Sequence, residues 1–273
     1  MLLFVSSIIA SVLYNKIKYY PENSTSCILL DELPTDRQII VFASGGGYWT
    51  YYMGIAKFMQ ETYVLDDINF VGASAGAFCS NVLANKLTVD DSFFTCLNFL
   101  DKLNTHFTGT WWNWVLVSKD VSLDTMNFYK CNLHNNRRVF SSVTQLTSKG
   151  LIKKYFTGGE SYESIIDSMI TSYWIPFITA PFFQPFSKIN GQYYIDGFLS
   201  GPEKINKQTT LVIHPHIFER LPFYTHWLWL GRDYNIWLFN RGYEQAKMNQ
   251  HKLDKFLHNW ALKVPNQHHL CHL

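Results

Sequence analysis

The sequence predicts an α/β fold: a three-layer α/β/α arrangement with a mainly parallel central sheet. Three observations carry that prediction. Gln38 to Ala43 (Gln-Ile-Ile-Val-Phe-Ala) is a short apolar run of the kind shown by a central strand buried on both faces. The glycine turn Ser44-Gly45-Gly46-Gly47 follows at once, and Trp49, Tyr52, Met53, Ala56 and Met59 then mark one face of a helix. A second strand through Ile68, Phe70 and Val71 runs into Gly72-Ala73-Ser74-Ala75-Gly76, after which Cys79, Val82, Leu83 and Leu87 return to helical spacing. Two consecutive β-α units of this kind are how a parallel sheet is built.

In chain order, Leu2 to Leu13 is apolar except for Ser6, Ser7 and Ser11, with Lys16 and Lys18 behind it. As a helix it spans about 18 Å, short of the ~30 Å hydrocarbon core, and no charged side chain precedes it as in a signal peptide. Signal anchor, interfacial helix and buried first element of the domain all remain open for it. Asn23-Ser24-Thr25 is a glycosylation sequon, and Pro21 to Pro34 is a polar, turn-rich connection. Beyond the two β-α units the pattern fades from Asp90 to Lys130, apart from Trp111, Trp112 and Trp114. Arg137 to Val143, Tyr193 to Ile195 and Thr209 to Ile213 read as strands, Glu160 to Tyr173 as a helix, and Gly242 to Leu262 as a closing helix. The expected organisation is an amino-terminal segment and linker over 1–34, one catalytic domain over 35–262 and a tail over 263–273.

Composition narrows the function. The chain has 273 residues, 47% of them hydrophobic, enough for a sizeable core. A net charge of +2 with 16% charged residues forms no basic stripe, which argues against a nucleic-acid partner. The 17% aromatic content fills a core or serves a protein working at a lipid surface, with Trp111, Trp112, Trp114 and Trp227-Leu228-Trp229-Leu230 as candidate contacts. Five widely spaced cysteines without a C-x-x-C pair indicate neither a disulfide scaffold nor a zinc site and lean toward a cytosol-facing domain. His268, His269, Cys271 and His272 read as a frayed tail rather than a metal site.

The G-x-S-x-G stretch places Ser74 on a sharp strand-to-helix elbow, with Gly72 and Gly76 letting neighbouring backbone pass. A nucleophilic serine also needs a base and donors for an oxyanion. Gly45, Gly46 and Gly47 can aim backbone N–H groups at one point, Ala75 offers another, and no P-loop Lys-Ser or Lys-Thr follows the glycines. For the base, Asp196 in Tyr193-Tyr194-Ile195-Asp196-Gly197 ends an apolar strand; it must be partly desolvated or coupled to Ser74 to serve.

Ser44-Gly45-Gly46-Gly47, the Gly72 to Gly76 elbow and the distant Asp196-Gly197 together resemble the patatin-like phospholipase family, in particular its adiponutrin-like branch. Val41-Phe42-Ala43, Gly54-Ile55-Ala56, Ile175-Pro176-Phe177 and Tyr193 to Ser200 extend the resemblance over about Gln38 to Ser200. It implies a Ser-Asp dyad: Ser74 attacks a lipid ester, Asp196 takes and returns the proton, and the Gly45 to Gly47 backbone holds the oxyanion. An acyl-serine forms and water releases the fatty acid, with no metal or organic cofactor. The partners implied are a phospholipid or acylglycerol ester and the membrane or lipid-droplet surface that carries it. Two positions depart from the family pattern: Trp49 stands where another glycine is usual, and Phe198 replaces the second glycine after the aspartate. Both bear on substrate access.

Two rival readings stand beside the dyad. The order Ser74, Asp196, then His214, His216 or His226 also fits a Ser-Asp-His triad esterase. A lipid-binding protein without turnover is the other, with Trp49 and Phe198 narrowing the pocket. Transacylase chemistry shares the same acyl-serine.

Overall fold

In the computed structural model the described residues are 27–105, 137–157, 162–180, 184–203, 205, 210–226 and 231–257. The two β-α units form as the sequence predicts. β2 (Ile39–Phe42) leads through the glycine turn into α1 (Trp49–Thr62), and β3 (Asn69–Ala73) leads through Ser74 into α2 (Ala75–Ala84). β2 and β3 are parallel, with Phe42 opposite Gly72. β8 (Thr210–Ile213) joins β2 in parallel on one side, and β4 (Val139–Thr147) joins β3 in parallel on the other. The fold is the three-layer α/β/α type of the prediction, with this four-strand parallel centre.

Outside this parallel centre the pairing is antiparallel, so the sheet as a whole is mixed. β5 (Gly150–Thr157) folds back on β4 as a hairpin, and β1 (Ile28–Leu30), from the stretch read as a connection, pairs antiparallel with β5. In the hairpin turn Thr147 Oγ1 accepts from Lys149 N–H at 3.2 Å and donates to Gly150 O at 2.9 Å, while Gly150 takes a φ of +117° that disfavours any side chain. β7 (Gln192–Asp196) pairs antiparallel with β4, and β6 (Ser187–Ile189) with β7.

One apolar cluster joins α1 and α2 to α3 (Val89–Thr105), α4 (Tyr162–Ser172), α5 (Arg232–Met248) and α6 (Gln250–Leu257) over Ile40, Phe42 and Phe70 of the sheet. The opposite face carries a smaller cluster, Ile39, Val41, Val71, Phe140 and Tyr155, with Leu30, Leu33, Ile205 and Val212 against it. α1 and α5 touch backbone to backbone: a Cβ at Gly54 would lie 1.9 Å from Phe239 O, and one at Gly242 would lie 2.1 Å from Tyr51 O. At the foot of the parallel strands Arg138 is buried and donates to the carbonyls of Leu65, Asp66, Ile68 and Ala84 at 2.7 to 3.2 Å. It thereby binds the end of α2 to the loop before β3.

Two helices differ from the reading. α3 fills a stretch where no pattern was recognised, although Val89, Phe93, Leu97 and Leu100 all face the core. The closing helix starts ten residues before Gly242 and is two helices, α5 and α6, parted at Asn249. The apolar run Leu2 to Leu13, the sequon, Trp111 to Trp114, Trp227 to Leu230 and the histidine-rich end lie outside the described residues. Among the described residues no helix is long and apolar enough to cross a membrane, and no group of three or more His, Cys, Asp or Glu is placed to hold a metal ion.

Candidate active site

Ser74 holds a backbone conformation that few residues adopt, φ +52° and ψ −123°. Such strain costs about 1 to 3 kcal/mol and persists only where the surroundings enforce it. They do so here through the two flanking glycines. A Cβ at Gly72 would lie 2.3 Å from Ala77 Cα, and one at Gly76 would lie 2.0 Å from Phe42 O. The elbow is thus wedged against the end of β2. Ser74 O accepts from Ala77 N–H at 2.9 Å, and Ser74 N–H donates to Ser172 Oγ at 3.0 Å.

The register of β4 brings Asp196 to the elbow. Ser142 on β4 lies opposite Ala73, the last residue of β3, and the next β4 residue, Val143, lies opposite Asp196. β3 and β7 therefore meet end to end along one edge of β4, with Ser74 and Asp196 at the junction. The gap closes tightly, since a Cβ at Gly197 would sit 2.2 Å from Ser142 O.

The Asp196 backbone is fixed on both sides: its N–H donates to Trp174 O at 2.9 Å, and its carbonyl accepts from Thr144 Oγ1 at 2.7 Å. Oδ1 accepts from Phe198 N–H at 2.7 Å, whereas Oδ2 is buried without a hydrogen bond among the described residues. Asp196 is 1% exposed, and burial raises its pKa from 3.8 to about 6. The Ser74 hydroxyl, the Phe198 N–H and the charge of Lys153 each pull it back down. Ser74 thus lies close enough to act on the carboxyl, yet short of a hydrogen bond with full geometry.

The glycine turn lies beside the elbow because β2 and β3 are neighbours. Gly46 has a φ of +57°, and Gly46–Tyr48 makes one tight turn into α1. The turn is held from α1, where Tyr52 Oη donates to Ser44 O at 3.4 Å. None of the described backbone carbonyls accepts from the N–H groups of Gly45, Gly46, Gly47 or Ala75. Four donors next to a serine and a buried carboxyl are what an acyl-transfer site needs.

The profile of the patatin-like phospholipase family matches residues 40–204, from β2 past the Asp196-Gly197 turn. The chain belongs to the patatin-like phospholipase family. Among solved structures it is similar to VipD from Legionella pneumophila, with a TM-score of 0.40 and 13% identity over 72% of this chain and 55% of that one. It is also similar to the heterodimeric ExoU-SpcU complex from the type III secretion system of Pseudomonas aeruginosa, with a TM-score of 0.38 and 14% identity over 88% of this chain and 55% of that one. The chain spans about half the length of these structures, and likenesses at such scores add nothing about its chemistry. Comparison with curated proteins gives no match.

Within this patatin-like domain the two departures differ in burial. The Trp49 ring is buried in the helical layer, 6.0 Å from Phe78 and 5.9 Å from Phe93 between centroids. Phe198 is 63% exposed and stands out into solvent. His214 and His216 follow β8, which β2 separates from β3, while Asp196 ends the strand that meets β3 end to end on β4. Cys79 is buried one turn into α2, and burial pushes its thiol pKa well up. Sequence reasoning missed Ser172, Trp174 O and Thr144, which hold the backbone of Ser74 or Asp196. A serine at a helix end and a threonine in a strand carry no signal of such a part.

Proposed function

We propose that the protein is a lipid acyl hydrolase, a phospholipase A or acylglycerol lipase of the adiponutrin-like branch, working through Ser74 and Asp196. The observation that carries this reading is the meeting of β3 and β7 on β4, which brings Ser74 and the buried Asp196 to one junction. A carboxyl with a pKa of about 6 is roughly nine-tenths ionised at pH 7, and so a competent base whose acid form still gives up its proton readily. Asp196 takes the Ser74 proton as Oγ attacks the ester carbonyl carbon. The N–H groups of Gly45, Gly46, Gly47 and Ala75 stabilise the oxyanion. Its collapse breaks the bond to the leaving alcohol, which receives the proton from Asp196. Water then repeats the cycle on the acyl-serine and releases the fatty acid.

The topology favours the dyad over a triad built on His214 or His216, since either imidazole would have to cross from beyond β2 to bridge Ser74 and Asp196. The outward Phe198 and the buried Trp49 ring favour turnover over a closed, binding-only pocket. The substrate lies in a membrane or lipid-droplet surface facing the cytosol. The exposed Phe177, Ile178, Phe198 and Leu199, near Asp196 and its Trp174 anchor in the chain, are suited to that contact. A panel of phospholipid and acylglycerol vesicles assayed with wild type, Ser74→Ala and Asp196→Asn tests the proposal. Fatty acid release by wild type and none by either variant supports it; equal release by Ser74→Ala overturns it. Acyl transfer to an added alcohol in place of release identifies a transacylase.

A further inference from the structure

We propose that Ser172 is a positioning residue that sets the Ser74 to Asp196 approach. The inference rests on the dyad reading above. Ser172 is fully buried at the end of α4, and its hydroxyl does two things at once. It accepts the Ser74 N–H at 3.0 Å and donates to Ser142 O at 2.6 Å, with Gly72 O a longer second acceptor at 3.4 Å. Ser142 O is also the atom against which Gly197 packs, one residue beyond Asp196. Two residues on from Ser172, Trp174 O accepts the Asp196 N–H. One chain segment thus holds the backbone of both dyad members, and the Ser172 hydroxyl is the side-chain link in that clamp.

The link matters because the elbow is strained. At φ +52° the Ser74 backbone is kept from relaxing by its packing and by where its N–H is held. The bond to Ser172 also withdraws the Ser74 N–H from the oxyanion donors, leaving that part to Ala75 and the glycine turn. Removing the hydroxyl orphans a buried N–H and a buried carbonyl on either side of the proton-transfer path. The elbow then shifts relative to β7, and displacement of a reacting atom by about 1 Å costs on the order of 100-fold in rate.

The test compares wild type, Ser172→Ala, Ser172→Thr and Ser168→Ala. Ser168 is the control, a buried serine one turn earlier on α4 that donates to Ile165 O and faces Ser141 Oγ rather than the Ser74 or Asp196 backbone. The readouts are kcat and KM on p-nitrophenyl butyrate, the rate of labelling by a fluorophosphonate, and the melting curve. Ser172→Ala is expected to lose about 10- to 100-fold in kcat and in labelling rate with KM unchanged, Ser172→Thr to recover most of the loss, and Ser168→Ala to behave as wild type. A folded Ser172→Ala that reacts at the wild-type rate, or a Ser168→Ala that loses as much, overturns the inference. If Ser172→Ala yields no folded protein, Ser172→Cys, with its weaker donor and acceptor, is read instead: an intermediate loss supports the inference and a wild-type rate overturns it. A wild type that neither hydrolyses nor labels overturns the dyad reading itself.

Discussion

Replacing Asp196 by asparagine is predicted to abolish turnover and to stabilise the protein. The side chain keeps its shape, and the amide oxygen can still accept from Phe198 N–H; what disappears is a buried charge. In the folded chain the Asp196 pKa stands at about 6 against 3.8 ordinarily. At about 1.4 kcal/mol per pH unit, that gap is a penalty of about 3 kcal/mol on the ionised form. The sign follows from proton binding: between the two pKa values the folded state holds more of the proton than the unfolded state. Stability from this group therefore falls as pH rises from about 4 through 6, and the penalty is complete above 6. Asparagine never ionises, so its advantage of about 3 kcal/mol belongs to neutral pH, worth roughly 6 to 12 °C in Tm for a domain of this size, and vanishes below about pH 4. Paired melting curves at pH 7.5 and pH 4 measure it. In wild type kcat/KM is expected to fall as pH drops through about 6, as the base protonates. An asparagine variant less stable than wild type at pH 7.5, or one gaining equally at both pH values, refutes the reasoning.

Other outcomes follow from the same geometry. His214→Ala and His216→Ala are expected to keep ester hydrolysis within about threefold of wild type, since neither imidazole bridges the dyad, and steady-state assays decide it. Arg138→Leu is expected to cost about 3 kcal/mol or more in urea denaturation, because four carbonyls, those of Ile68 and Ala84 in buried bonds, lose their donor. Turnover per folded molecule is unchanged in that variant, the arginine being at the opposite end of the parallel strands. Gly76→Ala forces a Cβ to within 2.0 Å of Phe42 O, and is expected to reduce both folded yield and fluorophosphonate labelling.

The parallel centre and the elbow were legible because both rest on local rules. Apolar runs followed by glycine turns and helical spacing leave short, unmistakable patterns. Asp196 was legible as an aspartate closing an apolar strand, but its meeting with Ser74 is set by the β4 register, a relation no local pattern encodes. β4 was read as a strand only as far as Val143, and β5 was not read. Ser141 and Thr144 are buried polar residues of β4, and each is explained by a distant partner. Ser141 faces Ser168, and Thr144 donates to Asp196 O. α3 shows the converse: Val89, Phe93, Leu97 and Leu100 have helical spacing, with Asp90 and Asp91 in the first turn favouring its start. There the signal was present, diluted by the polar residues between. In α5, buried Asn235 blurred the apolar stripe in its first ten residues.

The account stands on a serine made nucleophilic by a carboxylate delivered from β7. Mass spectrometry of the chain after reaction with a fluorophosphonate asks this directly. A single adduct mapped to Ser74, absent in Ser74→Ala and strongly slowed in Asp196→Asn, is the predicted result. An unmodified Ser74 in folded protein, or an adduct that forms as fast without the carboxylate, contradicts it.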